Sequence, residues 1–122
     1  MEKSVMDFDE IAEIIKPLMA KYKIKEVYLF GSYARDDATE DSDIDLLVYG
    51  NEAFRPVSIF AFAEELRIKT KKNIDAFEIR EVNQNSEFYY TIMNERRLIA
   101  WRLQMNKELK RYTNMRHNWM NI

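Results

Sequence analysis

The sequence predicts an α+β domain, a small mixed β-sheet packed against helices. Two observations predict it. Short runs rich in β-formers, such as Glu26–Phe30 and Ile44–Tyr49, alternate with stretches whose apolar residues recur every three or four positions. A chain of 122 residues with an apolar fraction of 47% can also bury one core, and no repeat, linker or low-complexity tract divides it. A single domain over residues 1–122 is expected, with its core at about 7–101 and a helical tail at about 102–122.

The elements follow in order. Asp7 with Glu10 reads as a capping pair for a helix to Tyr22, with Phe8, Ile11, Ile15, Leu18 and Tyr22 on one face. Pro17 lies inside that pattern, so a bend or break is expected there. Glu26–Phe30 is the first strand, stopped by Gly31, and an acidic loop covers Asp36 to Ser42. Ile44–Tyr49 is the second strand, closed by Gly50. Ser58 is the expected N-cap of a second helix, with Phe62, Leu66 and Lys69 near one stripe. Asn73–Ile79 is the third strand and Ser86–Glu95 the third helix. Arg97–Trp101 reads as a short fourth strand. In the tail, Met105, Leu109, Tyr112 and Trp119 fall near a helical stripe, either a docking surface or a cover for the sheet or a homodimer contact.

Composition narrows the function. A net charge of −2 argues against a general nucleic-acid or membrane binder. The absence of cysteine excludes disulfides and thiolate metal sites and fits the cytoplasm. The first residues lack the apolar segment of a signal peptide, and no apolar run approaches the about 18 residues that span a bilayer.

The chemistry concentrates between Leu29 and Val48. Gly31 follows a strand directly and lets backbone approach a ligand closely. If Ser32 opens a helical turn through Tyr33, Ala34 and Arg35, its leading N–H groups form a phosphate cradle; the plainer alternative is a simple turn. Asp43 and Asp45, two positions apart at the start of an apolar strand, share one face. Their repulsion is relieved by a divalent cation, unless both acids merely begin the strand in solvent. Asp75 stands inside the apolar run of the third strand, where an unpaired acid is costly. Glu78, at odd offset from Asp75, reads as a surface acid facing away. Three carboxylates beside a phosphate cradle describe phosphoryl or nucleotidyl transfer with two metals.

The stretch GSYARDDATEDSDIDLLV resembles the signature of the minimal nucleotidyltransferases of the polymerase-β-like superfamily, over about Glu26 to Trp101. The resemblance implies the polymerase-β-like nucleotidyltransferase fold. It implies that Gly31 and Ser32 bind a nucleoside triphosphate, ATP, and that Asp43 and Asp45 ligate Mg²⁺. Asp75 would complete the metal site, with two ions, and help activate the attacking hydroxyl. Arg35 matches the family's arginine, as a phosphate contact or a packing residue, and Asp36 stands where the family often has glycine.

Stand-alone proteins of this kind resemble antitoxins that neutralise a helical HEPN ribonuclease toxin by transferring AMP from ATP to one of its tyrosines. The resemblance therefore implies a HEPN partner; charge and the lack of a long apolar run argue against a membrane or a direct nucleic-acid partner. The alternatives are an antitoxin acting by occlusion alone, or a nucleotidyltransferase for RNA ends or a small hydroxylated molecule. The pair Arg111 and His117 has a spacing found in HEPN ribonucleases but lacks that domain around it, and is read as coincidence. Lys69–Lys72 and Glu95–Arg97 read as solvated helix ends, and Phe54, Phe60, Phe62, Phe88, Tyr89 and Tyr90 as core or interface residues.

Overall fold

A computed structural model describes residues 5–102. Helix α1 (Phe8–Tyr22) begins on the expected capping box. The Asp7 carboxylate accepts from the Glu10 amide at 2.8 Å, and Glu10 accepts from the Asp7 amide at 3.0 Å. The helix runs through Pro17 without a break. A helical proline costs about 3 kcal/mol. Here Ile15, Leu18 and Met19 are buried on both sides of it, and their packing offsets that cost.

Strand β1 (Ile24–Phe30) leads through Gly31 into the short helix α2 (Ser32–Arg35), and β2 (Ile44–Gly50) returns beside β1. Helix α3 (Ser58–Thr70) crosses to β3 (Ile74–Glu78). A 3-10 turn (Ile79–Glu81), α4 (Glu87–Glu95) and β4 (Arg97–Trp101) follow. The sheet order is β3-β2-β1-β4; β1 is antiparallel to β2 and β4, while β2 and β3 are parallel. The mixed sheet and the fourth strand are as expected. The calls on Arg111, His117 and the tail stripe lie outside the described residues.

Three local expectations change. Ser58 is the first helical residue rather than the cap, and Val57 precedes it in helical conformation with no side-chain cap. Ile79 leaves the third strand because the Glu78 side chain accepts from the Arg80 amide and caps the 3-10 turn. Glu78 does face away from Asp75, but it is buried, not a surface acid. Its carboxylate accepts from the Gly50 amide at 3.1 Å and from Arg80 Nε at 3.0 Å.

Strand alternation separates two apolar clusters. Val27, Leu29, Ile44, Leu46, Val48, Ile74 and Ile99 pack with α1 and α3. Phe30, Leu47, Val82 and Ile92, with Tyr28, Tyr49 and Phe77 at their margin, form a smaller cluster with α4. Ile24 joins Val27 on the helix-covered face despite the odd offset, because the register shifts between Ile24 and Glu26.

Candidate active site

The register brings the acids together. Phe30 pairs with Asp45, and Asp45 pairs with Asp75, so the three occupy one row across β1, β2 and β3. Residues directly opposite in a sheet share a face. This row therefore lies on the side of the smaller cluster, and Asp43 sits one step before β2. Asp75 is exposed on its edge strand. It avoids the burial cost expected of an acid amid apolar residues, because its face is open there.

Asp45 bears the strain of the arrangement. Its carboxyl is pushed up from 3.8 to about 6, first by burial, then by the charges of Asp75 and Asp43 and a hydrogen bond with Asp75, with Arg35 opposing. Phe30, the residue paired with Asp45, belongs to an aromatic group on this face. Phe30, Phe77 and Phe88 meet in a triangle, with ring centroids 6.3 Å, 5.9 Å and 5.2 Å apart.

Gly31 supplies the bend. Its φ of 73° and ψ of −154° lie in a region essentially reserved for glycine. A Cβ there would meet Asp45 Oδ2 at 2.2 Å, so the bend and the acid share space that only a bare backbone leaves. Ser32 opens α2, whose amides at Ala34 and Arg35 bond back to the Gly31 carbonyl at 3.0 Å and 3.1 Å. Asp36, in the place where glycine is frequent, adopts left-handed geometry with φ 64° and ends this helix.

The donor chemistry fits magnesium: the candidate ligands are carboxylate oxygens, and a divalent cation removes the repulsion from Asp75 and Asp43 that adds to burial in raising Asp45. Among the described residues no three acidic or imidazole side chains are spaced to hold a metal alone. Mg²⁺ commonly takes one or two carboxylates and completes its shell with water and substrate phosphate.

Some members of the two clusters read as solvated helix ends are engaged instead, while Lys69 and Lys71 are exposed as expected. Glu95 accepts from the Gly31 amide at 3.1 Å and from the Arg35 guanidinium at 2.9 Å. Arg96 lies 4.4 Å over the Tyr28 ring and donates to the Tyr49 hydroxyl at 2.6 Å. Lys72 is buried and donates to the Glu40 carbonyl at 3.1 Å, tying the loop ahead of Asp43 to the start of β3. One signal pointed to Glu95. It is the last residue of α4, where the helix dipole favours a cation.

A four-stranded mixed sheet carrying a glycine-serine bend next to a row of carboxylates defines the nucleotidyl-transferring class. Residues 12–104 match the family described as Polymerase beta, Nucleotidyltransferase, and the chain belongs to that family. It is similar to two Methanocaldococcus jannaschii proteins named as candidate protein adenylyltransferases. One is 44% identical over 59 residues, covering 45% of this chain and 57% of the relative; the other is 34% identical over 93 residues, covering 73% and 93%. The fold also resembles a chain of a solved structure described as a tri-AMPylated Shewanella oneidensis HEPN toxin in complex with MNT antitoxin. That match has a TM-score of 0.59 and 19% identity, covering 93% of this chain and 91% of the other. No helix among the described residues is long and apolar enough to cross a membrane.

Proposed function

We propose that this chain is a protein adenylyltransferase that neutralises a HEPN ribonuclease partner by transferring AMP from ATP to a hydroxyl of that partner, a tyrosine in the first instance. The observation that carries the reading is the row Asp45–Asp75 against the glycine-only bend at Gly31. The family supports nucleotidyl transfer, and the toxin complex among chains of similar fold motivates the choice of a protein acceptor.

In this reading Gly31 and Ser32 receive the triphosphate, and Arg35 lies at the end of the same short helix. Asp43 and Asp45, with Asp75, would hold Mg²⁺, two ions by the superfamily pattern, which supplies charge neutralisation for the phosphates and acidifies the acceptor. Asp75 is exposed on the edge strand, which leaves it accessible to a protein acceptor. The acceptor oxygen bonds to the α-phosphorus and the bond to the bridging oxygen of pyrophosphate breaks. The acceptor proton passes to the carboxylate at Asp75. Positioning and charge do most of the work.

The test is incubation of the chain with labelled ATP, Mg²⁺ and a HEPN partner, followed by mass analysis. Added AMP on a tyrosine, with loss of ribonuclease activity, is the expected outcome. Label on RNA ends or on a small hydroxylated molecule, with none on the partner, sinks the reading. The rival from another class is inhibition by occlusion alone. That rival predicts that Asp43→Asn with Asp45→Asn still silences the partner.

A further inference from the structure

The two glycines of this chain share a feature that nothing in their local sequence announces. Each donates its amide to a glutamate far along the chain: Gly50 to Glu78 at 3.1 Å, and Gly31 to Glu95 at 3.1 Å. The Glu78 contact lies at a strand end remote from the acids. The Glu95 contact lies at the bend that Asp45 packs against.

An acid beside a bend that receives a polyanion is electrostatically adverse, so its presence needs a reason. The second Glu95 oxygen accepts from Arg35 at 2.9 Å, and the same guanidinium pairs with Asp37 at 3.2 Å. Arg35 lessens, without cancelling, the negative charge that Glu95 and Asp37 present to an incoming triphosphate. The Glu95 side chain is 23% exposed, so the contact is screened only in part. Gly31 itself occupies a sparsely populated backbone conformation, and such conformations persist only where their surroundings over-determine them. On one side Asp45 fills the space a Cβ would need; on the other Glu95 holds the amide. Two positions on, Arg97 acts on the same segment: it donates to the Ala34 carbonyl at 3.5 Å and lies 3.9 Å from Asp36.

The geometry points to Glu95 as a positioning residue for nucleotide binding: its carboxylate, oriented by Arg35, fixes Gly31 in the conformation that sets the bend against Asp45. The inference rests on the proposed use of Gly31 and Ser32 for the triphosphate. Glu95 touches neither substrate nor reacting atoms and stays bonded to Gly31 when nucleotide binds.

The chain's glycine content makes the test direct. Protein labelled with ¹⁵N-glycine gives two amide signals, with Gly50 reporting whether the fold is intact. In the wild type, Gly31 is expected to be protected from hydrogen exchange with and without Mg·ATP. Glu95→Ala should lose that protection and raise the Kd for Mg·ATP at least tenfold. Glu95→Gln, which keeps an acceptor for the amide, should keep the protection and stay within threefold of wild type in Kd. Three results overturn the inference: Glu95→Ala with wild-type Gly31 exchange; Glu95→Ala with Kd within twofold of wild type; or Glu95→Gln that loses Gly31 protection while Gly50 stays protected. A wild type that binds no Mg·ATP at all defeats the proposed function instead, and the exchange of Gly31 still decides whether Glu95 holds the bend.

Discussion

The two faces of the sheet are built on opposite terms. On the side of α1 and α3, β2 presents Ile44, Leu46 and Val48, all essentially without solvent contact, to a continuous apolar layer. On the other side the same strand presents Asp45, Leu47 and Tyr49. There the cover is partial, and one end of the face is given to acids. The first face gains stability from burial. The second gives some away, since Asp45 is crowded by like charges in a half-buried place. Fold and chemistry are thus separated by the thickness of one strand.

The sharpest break in that comparison should come from Asp43→Asn and Asp45→Asn. Each is expected to lower AMP transfer by about 10³-fold or more, which is about 4 kcal/mol in the barrier, with the circular dichroism spectrum unchanged. Retained transfer in both variants contradicts the role given to these acids. On the opposite face, Leu46→Ala should cost about 2–5 kcal/mol in denaturant unfolding while leaving the Kd for Mg·ATP unchanged wherever the variant is folded. A large change in Kd would mean that the two faces are coupled.

Glu78→Ala tests a polar residue on the stabilising side of the ledger. It strips the Gly50 amide of its acceptor and should cost about 2–3 kcal/mol in thermal or denaturant unfolding. The smallest effect is the pH dependence of the metal-free protein. The folded pKa of Asp45 lies above its unfolded value, so the folded state prefers the protonated form. Asp45 therefore favours folding fully below about pH 4, and that contribution is lost as pH rises to about 6 and beyond. Solvent screening at this half-exposed site reduces the effect to about 1 kcal/mol. Asp45→Asn or added Mg²⁺ should recover it near neutral pH, read as a higher Tm. A Tm unchanged by either would remove the strain ascribed to this residue.

The sequence made one part of the site legible because its signals are local. The spacing from Gly31 through Ser32 to Asp43 and Asp45 lies within one β-turn-β passage, and the apolar runs show which residues alternate. Asp75 was reachable because its acid interrupts an apolar strand. Glu95 was missed because its partner, Gly31, is 64 residues away, and an acid beside two arginines reads as solvated surface. Parity turned Glu78 away from Asp75 correctly, yet parity cannot tell solvent from a buried acceptor for the Gly50 amide. Lys72 was hidden in the same manner, since a lysine run gives no sign of which member meets the Glu40 carbonyl.

The parallel pairing of β2 with β3 has a last consequence. Were β3 to slide by one position, Ile74 would be turned out to water and Asp75 driven in beneath the helices. The mistake that dismantles the carboxylate row is thus the same one that exposes greasy surface. Misassembled copies would advertise themselves to the cell's chaperones and proteases, and few inactive but well-folded molecules would accumulate.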